Sequence, residues 1–208
     1  MSVKLPTRLE VSDFFETYKQ NKKPWLVAGM GPSFSKHKDI DLSGYNVLGI
    51  NRVVRHIPCE LVSIIDYYIF DLVYEDILRQ GKYLIMPYQP HFGYKPSPNN
   101  TIFALTQYRD NLKDMLEKGK LLAYNLSTYR VRHRNTPVVE AHYFSAEAAF
   151  NLLAYLGVKH IDTIGIDGGH TRAEEFKDHG PTDPRGFDLQ WKGIDKTCEK
   201  FEMTRRAL

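Results

Sequence analysis

A chain of 208 residues with a formal net charge of +3, 42% hydrophobic and 25% charged residues lies close to the globular average, which excludes a disordered or fibrous protein. The charge is too small to indicate a nucleic-acid-binding face, and no run approaches the ~18 apolar residues that cross a bilayer. The first residues also lack the apolar core of a signal peptide. We therefore expect a single domain over residues 1–208, in the cytoplasm or peripheral to the inner face of the membrane, with no transmembrane segment and no nucleic-acid partner.

The two cysteines, Cys59 and Cys198, stand far apart, without a CxxC motif or a histidine-rich partner pattern. This spacing does not indicate a zinc site, and in a cytoplasmic chain it favours reduced thiols over a disulfide. The cysteines therefore give no reason to expect a bound metal.

Short apolar runs alternate with helical patterns along the chain, an order typical of parallel βα units. A helical spacing over residues 8–20 precedes the first strand. The pattern then predicts strands within 24–33, 45–50, 60–65, 82–88, 121–127 and 160–167, and helices over 67–81, 102–119, 145–157 and 186–208. This alternation predicts an α/β fold, a Rossmann-like, doubly wound, mostly parallel sheet flanked by helices.

The first apolar run breaks into a glycine-rich turn, Gly29-Met30-Gly31-Pro32-Ser33. Such a turn brings bare backbone N–H groups to the carboxyl end of a strand, where they hold a phosphate without a dedicated cation. The alternative is an ordinary strand-to-helix turn that binds nothing. Because later strands also end in polar residues at the same edge of the sheet, we favour a nucleotide site.

Polar side chains also follow three other strands, at Asn51, Asp66 and Asp167. In open parallel sheets the carboxyl ends of the strands form the ligand-binding edge. Asn51 is also a favoured N-cap type, so capping and ligand binding both remain open for it, whereas Asp66 is expected to cap the following helix. A carboxylate at the end of a buried strand is costly unless it is bonded, so Asp167 favours a ligand such as a ribose. Ser145 is expected to be an N-cap.

Two long stretches, 89–101 and 168–186, are expected to form lid-like loops. The aromatic part of the first, residues 91–94, either forms a wall for an acceptor or pins the loop to the surface. A further excursion over 128–140 carries a basic cluster that either faces an anion or is simply solvated, namely Arg130, Arg132, His133 and Arg134.

The combination and order of these features resemble a known superfamily. The turn GMGPS, the pair Ile50-Asn51, Ser145 at the start of a small-residue helix, and the stretch LGVKHIDTIGIDGG span residues 24–170. Together they are similar to the bacterial sialyltransferases of the Campylobacter type and to the related motility accessory factor and MptE-like proteins. The resemblance implies a Rossmann-like fold that acts on a nucleotide-bound substrate.

In those sialyltransferases the glycine turn and the asparagine after the second strand hold the cytidine monophosphate part of CMP-sialic acid. The resemblance therefore implies nucleotide-binding roles for Gly29, Gly31, Pro32, Ser33, Asn51, Ser145 and Asp167. The family's catalytic base is a histidine after the late strand, which His179 matches by position, with His170 as the second choice. An imidazole with a near-neutral pKa suits removal of a hydroxyl proton.

This chain departs from the sialyltransferases after Asp167, where Gly168-Gly169-His170 stands in place of a tyrosine-containing segment. The leading hypothesis is a glycosyltransferase that moves a sugar from a nucleotide-activated donor, with a CMP-sialic-acid-like donor favoured, to a glycan acceptor. It needs no obligatory metal or other cofactor, and a homo-oligomer is compatible with it. The MptE-like relatives imply an alternative, a magnesium-dependent 6-hydroxymethyl-dihydropterin diphosphokinase with carboxylates from Asp66 and Asp167. A third hypothesis is a nucleotide-binding module without catalysis.

Overall fold

A computed structural model describes residues 16, 18, 22–92, 95–96, 100–129, 132, 137–141, 145–168, 171–179 and 187–208. Most of the helix predicted over 8–20 lies outside these residues, although Glu16 and Tyr18 are helical. His170 and the basic residues Arg130, His133 and Arg134 also lie outside them.

Fifteen strands and α-helices follow one another in the described part of the chain. The strands are β1 (Trp25–Ala28), β2 (Asn46–Ile50), β3 (Cys59–Ser63), β4 (Gly81–Pro87), β5 (His91–Phe92), β6 (Lys95–Pro96), β7 (Leu121–Leu126), β8 (Val138–Val139), β9 (His160–Ile164) and β10 (Thr204–Ala207). The helices are α1 (Tyr67–Gln80), α2 (Ile102–Leu105), α3 (Asp110–Glu117), α4 (Ser145–Tyr155) and α5 (Phe187–Phe201). Short 3₁₀ segments occupy Pro32–Asp39, Leu42–Gly44, Asn51–Arg55 and Glu174–His179.

Eight of the strands form one parallel sheet in the order β10-β9-β1-β2-β3-β4-β7-β8. The first described strand, β1, lies inside the sheet; the following strands are added on one side of it out to β8, and β9 then returns to the other side of β1. This reversal places the topological switch point between β1 and β9. The α/β, Rossmann-like fold expected from the sequence is confirmed.

Side chains on both faces of the sheet form two separate apolar cores. On one face α4 and α5 cover the sheet, and the alanines of α4 allow this helix to pack closely on it. On the other face α1 buries Phe70, Val73 and Ile77, which are spaced three and four residues apart as an amphipathic helix requires. Each such apolar side chain contributes about 1.5–3 kcal/mol when fully buried.

The C-terminal segment differs from the helix predicted over 186–208. Helix α5 ends at Phe201, Glu202 adopts a left-handed φ of 52°, and β10 then pairs in parallel with β9. All four side chains of β10 are exposed, so no apolar alternation marked this strand in the sequence. Backbone pairing holds it at the sheet edge, together with a 2.6 Å ion pair between Arg206 and Asp162.

Three smaller differences concern the middle of the chain. The helix predicted over 102–119 is interrupted at Arg109, whose backbone is extended, so it forms α2 and α3 separately. The 89–101 loop contains the β5-β6 hairpin, and the 128–140 excursion contains β8. Cys59 and Cys198 are free thiols, as expected, and burial raises the pKa of Cys59 to about 12. Within the described residues no helix is both long and apolar enough to span a bilayer.

Candidate active site at the carboxyl edge of the sheet

The ends of β1 and β9 touch through their backbones at the switch point. The N–H of Gly29 donates to the carbonyl of Ile164 at 2.8 Å, and the N–H of Gly31 donates to that of Gly165 at 2.9 Å. A Cβ on Gly29 would lie 2.4 Å from the Gly165 oxygen, and a Cβ on Gly165 would lie 2.2 Å from the Gly29 oxygen. Glycine is therefore needed at both positions, and Gly165 also has a left-handed φ of 65°.

Hydrogen bonds of Ser33 with Asp167 and Gly165 also stabilise this contact between β1 and β9. The backbone N–H of Ser33 donates to the Asp167 Oδ2 atom at 2.9 Å, and the N–H of Gly165 donates to the Ser33 hydroxyl at 2.7 Å. A Cβ on Gly31 would lie 2.3 Å from Asp167 Oδ2, so the second glycine of the turn makes room for the carboxylate. Asp167 thus has a partner within the protein and is exposed, which accounts for a carboxylate at the end of a buried strand.

These contacts change the mechanism expected for the glycine turn. The N–H groups of Gly29, Gly31 and Ser33 are not bare, because each already donates to a protein oxygen. Pro32 has no N–H and begins the 3₁₀ segment. The nucleotide-binding roles of these residues stay predictions, and a phosphate held by the backbone N–H groups would first have to displace the protein's own acceptors.

Asn51 is the residue of this edge whose conformation is unusual. It follows β2 with a left-handed φ of 56°, and its Oδ1 atom is shielded from solvent without accepting a hydrogen bond from any described residue. The N-cap position of the 3₁₀ segment is Ile50, so Asn51 does not act as its N-cap. Backbone strain together with an unsatisfied polar atom at a strand end is characteristic of residues that bind a ligand.

The neighbouring Arg52 is buried and reaches the 3₁₀ segment Glu174–His179. Its guanidinium donates to Asp178 Oδ2 at 2.5 Å and lies 3.3 Å from Nδ1 of His179. The Arg52 side chain is only 7% exposed. Because a guanidinium can only donate, Nδ1 of His179 is the acceptor and the ring proton resides on Nε2. Arg52 therefore links the end of β2 to the histidine predicted to be catalytic.

Two contacts hold that 3₁₀ segment over the glycine turn. The N–H of Ala173 donates to the carbonyl of Met30 at 2.9 Å, and the ring of Phe176 packs against that of Phe34 with centroids 4.9 Å apart. Phe176 and Phe34 are both fully buried, so the segment is anchored by apolar contact as well as by hydrogen bonding. This anchoring, which joins residues about 140 positions apart, places His179 beside Arg52.

The charge state of His179 follows from its surroundings. Burial, with the positive charges of Arg172 and Arg52 acting in the same direction, lowers its pKa to about 4. The imidazole is therefore neutral near pH 7 but is a weak base. A bound phosphate would offset the two arginine charges and raise the pKa again, so this corner of the site is suited to an anion.

A second polar cluster lies further along the same edge and was not recognised in the sequence. Asp66 occupies the N-cap position of α1, as expected, but its side chain makes no capping hydrogen bond. Instead its Oδ1 atom lies 3.5 Å from Nδ1 of His91, whose Nε2 hydrogen-bonds the hydroxyl of Tyr129. The isolated sequence positions 66, 91 and 129 gave no signal of this contact.

Two further predicted residues, Ser145 and Arg132, belong to the described part of the chain. Ser145 is the first residue of α4 and is partly buried. Arg132 donates to the carbonyls of Ser127 and Tyr129, so in this structure its guanidinium supports the chain after β7. In the described part of the chain, no three histidine, cysteine or carboxylate side chains are grouped so that they could hold a metal ion.

Two open cavities, of about 340 and 370 Å³, lie at the opposite edge of the sheet, around the amino ends of β1 and β9. Pro24 and His160 line both cavities, and Lys159 lines the larger one. Neither includes a residue of the clusters described above. Because ligands of parallel α/β sheets bind beyond the carboxyl ends of the strands, we assign the candidate site to the edge that carries Asn51.

The site thus belongs to an α/β, doubly wound protein with its polar groups at one edge of the sheet. The same architecture occurs in a substituted form of the alpha-2,3/8-sialyltransferase CstII of Campylobacter, with a TM-score of 0.52, 16% sequence identity, and coverage of 89% of this chain and 81% of that chain. Neither the known protein-family profiles nor the curated proteins match this sequence. The chain therefore has a sialyltransferase-like fold, which confirms the resemblance at the level of fold.

Proposed function

We propose that this chain is a glycosyltransferase that transfers a sugar from a nucleotide-activated donor, with a CMP-sialic-acid-like donor favoured, to a hydroxyl of a glycan acceptor. The observation that carries the proposal is the strained Asn51 with its unsatisfied Oδ1 atom, directly beside the buried Arg52 at the ligand-binding edge. The sialyltransferase-like fold supports the same assignment.

The chemistry of such a transfer needs groups that this edge supplies. The bond between the anomeric carbon and the phosphate oxygen breaks, and the phosphate leaves with the electron pair while the acceptor oxygen bonds to the carbon. Arg52 and Arg172, whose charges both act on His179, would stabilise the charge that develops on the phosphate. Nε2–H of His179 would donate to the same phosphate, and the Asn51 amide would bind the nucleotide. We propose that these groups make a metal unnecessary.

The proposal is tested by thermal unfolding with CMP, CDP, UDP, GDP and ATP, each with and without magnesium. A ligand at ~100 times its Kd stabilises the native state by about 2.7 kcal/mol, which raises the Tm of a chain of this size by about 5–10 °C. We expect this response to CMP without magnesium, followed by release of CMP from CMP-sialic acid in a turnover assay. Stabilisation by ATP only with magnesium would favour the diphosphokinase instead, and no response to any nucleotide would refute the site.

Two neighbouring arginines provide a matched pair of variants. Arg52→Gln removes the cation proposed to face the phosphate and should abolish the response to CMP. Arg55→Gln is the control, because Arg55 points to α1, where it pairs with Asp76 at 3.2 Å and donates to the carbonyl of Leu72. An equal response of both variants to CMP would contradict the role of Arg52.

A further inference from the structure

Asp66, His91 and Tyr129 lie on three segments that the sheet brings side by side. Asp66 follows β3, His91 follows β4, and Tyr129 follows β7, and these three strands are neighbours in the sheet. Adjacent strands are about 5 Å apart, so the cluster spans two strand spacings and begins one strand beyond Asn51. The cluster is therefore distinct from the contact between Arg52 and His179 but lies on the same edge of the sheet.

The backbone fixes the position of His91. Its N–H donates to the carbonyl of Ile65 at 3.0 Å, and it forms an isolated parallel β-bridge with Asp66. The two ring nitrogens face different partners, since Nδ1 faces the Asp66 carboxylate and Nε2 faces the Tyr129 hydroxyl. The Nδ1–Asp66 distance of 3.5 Å is an ion-pair contact, and Asp66 Oδ1 accepts no hydrogen bond from a described residue. In the tautomer with the ring proton on Nδ1, the proton faces this carboxylate and Nε2 accepts the hydrogen bond from the phenol.

This arrangement sets the direction in which a proton can move. Burial and the nearby Asp66 charge raise the pKa of the Tyr129 phenol, so Tyr129 is protonated at neutral pH. It can take a proton from another hydroxyl only if its own proton passes to His91 at the same time. The resulting imidazolium would be stabilised by Asp66, as in other carboxylate–imidazole–hydroxyl arrangements.

We propose that Tyr129, His91 and Asp66 form a proton relay that removes the proton of the acceptor hydroxyl. The proposal rests on the glycosyltransferase function proposed above. As the acceptor oxygen bonds to the anomeric carbon, its proton passes to the Tyr129 oxygen, the phenolic proton passes to Nε2 of His91, and the phosphate departs with the electron pair. The imidazolium then returns its proton to solvent, which reaches the partly exposed ring.

In this proposal two separate groups of residues act in the reaction. Arg52 and His179 bind the leaving phosphate, and the relay accepts the proton of the acceptor hydroxyl. His179 is poorly placed to act as the base in this structure, because Arg52 occupies its Nδ1 atom and its Nε2 atom carries a proton. Its prediction as the base stays a prediction, and the relay is the competing assignment. In a direct displacement the acceptor approaches from the side opposite the leaving phosphate, which suits two proton-handling groups on different strands.

The test uses the full chain with CMP-N-acetylneuraminic acid as donor and a β-galactoside as acceptor. Tyr129→Phe and His91→Gln should lower kcat about 10²–10⁴-fold with little change in the KM for the donor. Tyr124→Phe is the matched control, because this neighbouring phenol is fully buried and its hydroxyl has no hydrogen-bond partner among the described residues. It should keep at least half of the original kcat.

A further readout separates a catalytic role from a structural one. Azide is an anionic nucleophile that needs no base, so it should restore CMP release in Tyr129→Phe but not in a variant that is merely misfolded. If the unmodified chain turns over the donor and Tyr129→Phe retains more than a third of its kcat, or azide restores nothing, the relay is wrong while the glycosyltransferase function stands. If the unmodified chain releases no CMP, the proposed function fails and the relay fails with it.

Discussion

Replacing Asn51 with glycine should stabilise the ligand-free protein, although it removes a residue of the proposed site. A left-handed backbone costs a side-chain-bearing residue about 0.5–1 kcal/mol when that residue is asparagine, and the variant relieves this strain. It also removes a buried oxygen without a partner, which costs about 1–3 kcal/mol. Against this, glycine adds about 0.5–1 kcal/mol of unfolded-state entropy. We expect a net gain of about 0.5–3.5 kcal/mol, or about 1–14 °C in Tm.

Glu202 offers a control for the backbone part of this estimate. Asn51 and Glu202 are the two non-glycine residues with a positive φ in the described chain, at 56° and 52°. Glu202 is exposed, and its contact with Lys159 is a long 3.9 Å ion pair, which contributes little at a surface. Glu202→Gly therefore measures the two backbone contributions together, the relief of strain and the added unfolded-state entropy of glycine, and the excess stabilisation of Asn51→Gly measures the unsatisfied Oδ1 atom.

Urea denaturation and thermal unfolding, each with and without CMP, provide the measurement. We expect Asn51→Gly to be more stable than the unmodified chain without ligand and to lose the rise in Tm caused by CMP. Destabilisation by more than about 1 kcal/mol, with Glu202→Gly neutral or stabilised, would refute the reasoning, because Oδ1 would then be satisfied within the protein and Asn51 would be a structural residue.

Two further predictions concern His179 and the β1–β9 contact. The depressed pKa of His179 means that the unfolded chain binds a proton between about pH 6.5 and 4 that the folded chain does not, so stability falls as the pH decreases through this window. After allowance for the partial exposure of the ring, the loss of folding stability amounts to about 1–2 kcal/mol. The variant His179→Asn should lack this loss when urea titrations at pH 7 and pH 4.5 are compared. Gly29→Ala should lower the free energy of unfolding by more than about 2 kcal/mol, because its methyl carbon would lie 2.4 Å from the Gly165 oxygen. Gly44→Ala is the control, because its methyl carbon would meet nothing within 4 Å, and it should have little effect on the urea midpoint. If the unmodified chain and His179→Asn show the same dependence of stability on pH, the depressed pKa of His179 does not contribute. If Gly29→Ala and Gly44→Ala have the same urea midpoint, the close contact between β1 and β9 does not require glycine.

Local patterns in the sequence determined much of the sheet. Continuous apolar runs flanked by turns are typical of strands buried on both faces, and β1, β2, β3 and β9 appear where such runs occur. The positions of Asn51 and Asp66 at one edge also followed from the sequence, because parallel strands necessarily share a carboxyl edge. β10 could not be predicted in this way, because an exposed edge strand held by backbone pairing has no apolar signature.

The contacts of the site were less accessible to sequence reasoning because they join distant residues. Ser33 and Asp167 are 134 positions apart, and nothing local indicates that the carboxylate would occupy the N–H group predicted to bind phosphate. The same holds for His91 and Tyr129, which are 38 positions apart and meet only because β4 and β7 are neighbours. A polar residue at a strand end thus indicates the edge on which it lies, but its partner depends on the whole fold.

The hydrogen bond between Ser33 and Asp167 affects where a ligand can bind. Doubly wound sheets usually bind their ligand in the crevice at the switch point, which here lies between β1 and β9. In this chain the N–H groups of Gly29, Gly31 and Ser33 at that point already donate to Ile164, Gly165 and Asp167. Strain and an unsatisfied polar atom appear instead at Asn51, one strand to the side, beside the Arg52 corner. Because β3 lies between β2 and β4 in the sheet, a donor whose phosphate binds at β2 and whose sugar lies over β3 would place its anomeric carbon beside the cluster that we propose accepts the proton. The shift of the site from the switch point would then bring the leaving phosphate and the proton acceptor within reach of one substrate.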